Sequence, residues 1–136
     1  MASKPDIELL YDRDCPACEY FCQRVDVHES AGRLLRVDAR DDSDVLREVT
    51  ALGLDIDEGM VLRKDDRIYY GADAINELAR MSSGAGLFNR VAGATFRSPA
   101  VARALYPILK ALRNLLLKML GRSRINNLDV EGNDRF

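Results

Sequence analysis

Residues 7–11 form a short apolar run bounded by Asp6 and Asp12, which reads as a buried strand. From residue 17 to about 29 the pattern changes to a helical one, with Cys18, Phe21, Cys22 and Val25 on one face. Ser30-Ala31-Gly32 breaks it. Leu34, Leu35 and Val37 make a second strand ending at Asp38, and an acidic loop leads to Ser43. Ser43 is placed to cap a helix that turns Val45, Leu46, Val49 and Leu52 inward and stops near Gly53. Residues 60–62 and 68–70 are β-type runs around Lys64-Asp65-Asp66-Arg67, a hairpin pattern. Gly71-Ala72-Asp73 then opens a helix that buries Ile75, Leu78 and Ala79.

The resulting order is β-α-β-α-β-β-α, the element order of a thioredoxin-like α/β core, and residues 1–81 are expected to form it. Residues 82–136 extend it. Residues 82–97, with Gly and Ser, read as a connector that tucks Leu87, Phe88, Val91 and Phe96 against the core. Ser98 and Pro99 start a long amphipathic helix ending at Gly121, and Pro107 should kink it. Its broad apolar set, from Val101 through Ile108, Leu112 and Leu115 to Leu120, is expected to pack on the same domain or on a second copy. Four charges within the helix exclude a transmembrane span. The polar tail from residue 126 is expected to fray.

A chain of 136 residues supports one domain with a real core. The net charge of −2 conceals a division along the chain. Residues 1–77 hold ten Lys and Arg against nineteen Asp and Glu, whereas residues 78–128 hold nine basic residues and no acidic one. The basic residues are spaced out, which favours mutual attraction of the two halves or a solvated surface over nucleic-acid binding. Three cysteines, an odd number, and a polar start without an apolar leader point to a reducing, cytoplasmic setting.

In that setting the pair Cys15-Pro16-Ala17-Cys18 carries the chemistry, because it lies at the junction of the first strand and the first helix. A cysteine at a helix N-terminus faces unpaired amides and the positive end of the macrodipole, both of which favour thiolate. Cys15 is therefore the expected nucleophile. Cys18, one turn on, is the expected resolving thiol. Pro16 suits the first helical position, where its missing N–H costs nothing. Asp12 and Asp14 oppose ionisation of Cys15, and two roles stay open for Asp12: proton acceptor for the resolving thiol, or a strand-end carboxylate on turn amides. Gly71, Ala72 and Asp73 start a helix whose amides could receive a carboxylate such as that of glutathione.

The stretch Leu10-Tyr11-Asp12-Arg13-Asp14-Cys15-Pro16-Ala17-Cys18 closely resembles the signature of the DCC (Asp-Cys-x-x-Cys) family, DUF393. Tyr70-Gly71-Ala72-Asp73-Ala74-Ile75 is similar to the segment that follows the hairpin in that family. Tyr106 and Arg113 match the scattered Tyr and Arg of its C-terminal helical part. The resemblance spans roughly residues 7–115 and implies a thioredoxin-like thiol-disulfide oxidoreductase with a redox-active disulfide and no bound metal or nucleotide. Its substrate would be a thiol or disulfide, a protein among the candidates, with glutathione a candidate electron donor. Arg13 replaces the family's usual Gly and adds a positive charge that could restore thiolate character to Cys15. The loop Asp57-Glu58-Gly59-Met60 lacks the proline that faces the active site in thioredoxins, where this loop pairs with the substrate backbone. Gly59 and Met60 are its counterparts here.

Two other classes stay open. Cys15, Cys18, Cys22 and His28 are four zinc-type ligands, although a single straight helix turns Cys18 and His28 about 280° apart and does not close a tetrahedron. Against zinc binding, Cys22 reads as an apolar core residue, with a third redox thiol as the alternative, and His28 as a solvated residue near a helix end. Alternatively, the chain is an interaction module whose basic helix contacts a partner protein or an anionic membrane surface.

Overall fold

The computed structural model describes residues 6–27, 32–82 and 86–132. The elements in chain order are β1 (Asp6–Tyr11), α1 (Pro16–Arg24), β2 (Arg33–Asp38), α2 (Asp44–Ala51), β3 (Val61–Lys64), β4 (Arg67–Tyr70), α3 (Ala72–Arg80), α4 (Gly86–Phe96) and α5 (Pro99–Met119). The four strands form one mixed sheet in the order β2-β1-β3-β4. β1 and β2 run parallel, while β3 is antiparallel to both β1 and β4. This is the thioredoxin-like arrangement, with a C-terminal helix added.

Alternation along central β1 divides the core. Ile7, Leu9 and Tyr11 pack with Cys22 and Val25, near the end of α1, and with Ala74 and Leu78 of α3. Leu10 points to the other face, against Val45 and Val49 of α2 and Ile56. Burying both faces of β1 places its C-terminal end, and the start of α1, at the middle of the sheet edge where the cysteines lie. The β3–β4 turn is made by Asp65 and Asp66, both at positive φ, as a two-residue hairpin requires.

Several boundaries differ from the sequence reading. α1 ends at Arg24, five residues early, because its last carbonyls are taken by side chains from elsewhere. Arg36 donates to the Cys22 and Val25 carbonyls at 2.6 and 2.7 Å. Asn89 donates to the Arg24 carbonyl and accepts the Asp26 amide. Val27 then bridges to Ser82. His28 lies outside the described residues. Ser43 caps α2 as expected, its hydroxyl accepting the Leu46 amide, but Leu52 is exposed and does not point inward.

The expected connector is instead helix α4, whose Leu87 and Val91 are exposed rather than tucked inward. What docks α4 is polar and small: Asn89, its bond to the end of α1, and Gly93, where an added Cβ would come within 3.2 Å of the Ser82 hydroxyl. Asn76 of α3 donates to the Phe96 and Arg97 carbonyls and closes the far end. α5 runs unbroken through Pro107. Its apolar set is divided: Ala102 and Leu117 are buried and Leu105 and Leu116 half-buried, while Ile108, Leu112, Leu115 and Met119 are exposed. The tail is also anchored, since Asp57 accepts the Ile125 and Asn126 amides at 2.9 and 2.7 Å, and Asn127 bonds the Ile56 amide and Leu54 carbonyl.

Candidate active site

Cys15 is the N-cap of α1, in extended conformation, and Pro16 follows at the first helical position. The Cys15 sulfur accepts the Cys18 amide at 3.4 Å. A sulfur thereby takes the place of the oxygen in an ordinary N-cap. The Cys18 thiol also bonds the Cys15 sulfur, and this is the largest influence that brings the Cys15 pKa down, to about 7. Burial works against it. The amides of Cys18 and Ala17 and the positive charge of Arg113 assist. Cys18 moves the opposite way: its hydrogen bond to Cys15 and its burial push its pKa well up. One sulfur is ready to ionise and its neighbour keeps the proton, the division of labour that dithiol exchange needs. All three cysteines are free thiols, and Cys22 is a buried core residue with its pKa raised by desolvation.

Cys15 has no exposed surface, whereas Cys18 is partly exposed. A cavity of about 330 Å³ opens beside the pair. Cys18, Phe21, Met60, Tyr106, Leu109 and Arg113 are among the residues lining it, and Cys15 is not. The walls are almost entirely apolar.

The flanking carboxylates are held by a cation missed in the sequence. Arg40, after β2, donates Nε to Asp12 Oδ1 at 2.8 Å and Nη2 to Asp12 Oδ2 at 3.0 Å, and its Nε lies 3.2 Å from Asp14. Asp12, buried, also accepts the Asp14 amide. It is thus a paired strand-end carboxylate on a turn amide, within the cavity wall. Arg13 does not turn to the cysteines: it donates to the Arg36 carbonyl, and its amide reaches Asp38. The guanidinium that acts on Cys15 is Arg113, from α5.

The expected substrate loop is engaged by the same helix. The Met60 amide donates to the Tyr106 hydroxyl at 2.7 Å, Arg113 donates to the Asp57 carbonyl, and Lys110 pairs with Glu58 at 2.7 Å. Tyr106, Lys110 and Arg113 follow i, i+4, i+7 spacing, so one polar face of α5 clamps the loop. That spacing was the available signal. Gly59 packs against Tyr70 and Gly71, leaving 3.0 Å for an added Cβ, and Gly71 donates to the Met60 carbonyl at 2.8 Å. The Tyr106 ring stands 3.5 Å from where a Gly71 Cβ would be, so it covers the start of α3; Ala72 is half-buried and Asp73 exposed.

Among the described residues, no group of three or more His, Cys, Asp or Glu is placed to hold a metal ion, and no helix is long and apolar enough to cross a membrane. No curated protein and no solved structure matches the chain. The family model of DCC1-like thiol-disulfide oxidoreductases matches residues 9–119, which include the dithiol, the 57–60 loop and the clamping face of α5. The chain belongs to the DCC1-like thiol-disulfide oxidoreductase family.

Proposed function

We propose that this protein is a dithiol-disulfide oxidoreductase in which Cys15 attacks and Cys18 resolves. The observation that carries the reading is the N-capping sulfur of Cys15, which accepts the Cys18 amide at the start of α1. Thiolate Cys15 attacks one sulfur of a disulfide, a Cys15–substrate mixed disulfide forms, and the other substrate sulfur leaves as thiolate. Forming that bond removes the negative charge and the hydrogen bond that hold the Cys18 proton, so Cys18 then ionises more readily. Cys18 attacks the Cys15 sulfur, the second substrate thiolate leaves, and a Cys15–Cys18 disulfide remains. Two electrons have passed to the substrate. Two molecules of a thiol such as glutathione return them: one attacks the disulfide to form a mixed disulfide, and the second displaces the protein thiol and leaves with the first as their disulfide.

Because Cys15 has no exposed surface, exchange at its sulfur follows local opening of the packing around it. Release of Tyr106 frees the Met60 amide for the backbone of an extended substrate, and the apolar cavity takes a nonpolar group beside its sulfur. The cytoplasm, with its thiol pool, suits this chemistry.

The test is reduction of a small mixed disulfide of glutathione by the purified chain. Cys15→Ser abolishes it, and Cys18→Ser accumulates a glutathionylated Cys15 visible as an added mass. Wild-type rates in both variants would refute the assignment.

A further inference from the structure

Given the dithiol mechanism, on which this rests, we propose that the cavity beside Cys18 selects a small uncharged disulfide with an alkyl group on its sulfur, in preference to glutathione disulfide or a folded protein. Cys18 lines the cavity and its thiol bonds the Cys15 sulfur, so a group seated there lies one side chain away from the nucleophile. The volume, about 330 Å³, falls at the lower end of small-ligand sites, about 300–1,000 Å³. Phe21, Ile75, Phe96 and Leu116 supply wall, and Leu109 and Leu112, 40% and 59% exposed, make the mouth apolar as well.

The few polar groups of the wall are engaged with the protein. Asp12 is held by Arg40 and Lys110 by Glu58, Arg113 donates to the Asp57 carbonyl, and the Tyr106 hydroxyl accepts the Met60 amide. Glutathione disulfide would bring carboxylates and ammonium groups against these walls, and they would lose hydration without gaining partners. A peptide is disfavoured differently. Tyr106 holds the Met60 amide, and the Met60 carbonyl accepts the Gly71 amide at 2.8 Å. Backbone pairing therefore waits on release of Tyr106, whereas the cavity is already formed. A sulfur without exposed surface is also reached with less opening by a small molecule than by the surface of a folded protein.

In one turnover the Cys15 thiolate attacks one sulfur of the dialkyl disulfide and an alkyl thiolate leaves; Cys18 then attacks the Cys15 sulfur and displaces the second. The dithiol is oxidised, and the two alkyl thiolates take up the protons it gave up. The experiment is this single turnover of the reduced full chain with diethyl, dipropyl and dibutyl disulfides, with glutathione disulfide and with insulin. Loss of free thiol is followed, and each rate is divided by that of dithiothreitol with the same disulfide, which cancels intrinsic reactivity. From diethyl to dibutyl the ratio should climb about fourfold per methylene, with glutathione disulfide and insulin below diethyl. Leu109→Glu with Leu112→Glu should flatten the climb; if that variant misfolds, the wild-type series decides alone. A flat alkyl series, a climb that survives in the folded variant, or glutathione disulfide or insulin at or above diethyl would overturn the proposal, while loss of all these rates in Cys15→Ser would keep the dithiol mechanism. Rates that persist in Cys15→Ser would overturn both.

Discussion

The Tyr106 hydroxyl accepts the Met60 amide N–H at 2.7 Å, joining the C-terminal helix to the loop that precedes β3. Burial holds the Tyr106 pKa up at about 12, so the phenol stays neutral through the physiological range. Tyr106→Phe keeps the ring over Gly71 and removes only the acceptor. Leaving that amide unpaired should cost about 1–2 kcal/mol in urea unfolding. Tyr106 and Cys18 line the same cavity, so on the proposed mechanism the same change loosens the packing beside the dithiol and speeds its alkylation. Alkylation unchanged at equal stability would show that Tyr106 does not gate the thiol.

The coupling of Cys15 to Cys18 makes a directional prediction about pH. The ultraviolet absorbance of the Cys15 thiolate should rise with pH and reach half its amplitude near 7. In Cys18→Ala the largest stabilising influence is gone, and the midpoint should climb toward the ordinary thiol value of about 8.5. Arg113→Gln should raise it by a smaller step, because that positive charge ranks behind both hydrogen bonds from Cys18. A midpoint that stays near 7 in Cys18→Ala would contradict the geometry.

Much of this arrangement was legible in residue order. Period-two and helical patterns located β1, β2, the hairpin, α2 and α3, and the strand-to-helix junction located the cysteines, because those features depend on neighbours in sequence. The end of α1 was not legible, since Arg36 and Asn89 decide it and both arrive from distant elements. The exposure of much of the α5 apolar set was not legible for a related reason. In α5 apolar residues outnumber polar ones, but three polar side chains find partners on the 57–60 loop, and those bonds decide which face turns inward. The complete burial of Cys15 is a property of the assembled fold that no local pattern carries.

Asp57 shows how much one buried side chain organises. Its carboxylate accepts the Ile125 and Asn126 amides, its carbonyl accepts Arg113, and it has no exposed surface. Asp57→Ala should cost about 2–4 kcal/mol, since two charge-assisted bonds are lost and two amides lose their partner. Hydrogen exchange should accelerate at 123–127 well before the sheet is affected. Uniform acceleration across β1 and β3 would instead mean that the tail and the core unfold as one unit.

The last relationship concerns the two carboxylates beside the thiol. Asp12 is almost wholly buried, and its bidentate partner is Arg40, which also bonds the Ser123 carbonyl. Arg40→Ala removes the cation and leaves a buried carboxylate with only the Asp14 amide, a loss of about 3–5 kcal/mol. The stability is lost because a buried charge is left without its counter-ion. An unscreened carboxylate near the helix start also disfavours the Cys15 thiolate, so the thiolate midpoint should move up from about 7. Arg40→Lys should restore part of both, because it returns the charge without the fork that spans both oxygens. If Arg40→Lys restored neither the stability in urea unfolding nor the thiolate midpoint, the cost would lie in packing and the electrostatic account of this pair would be wrong.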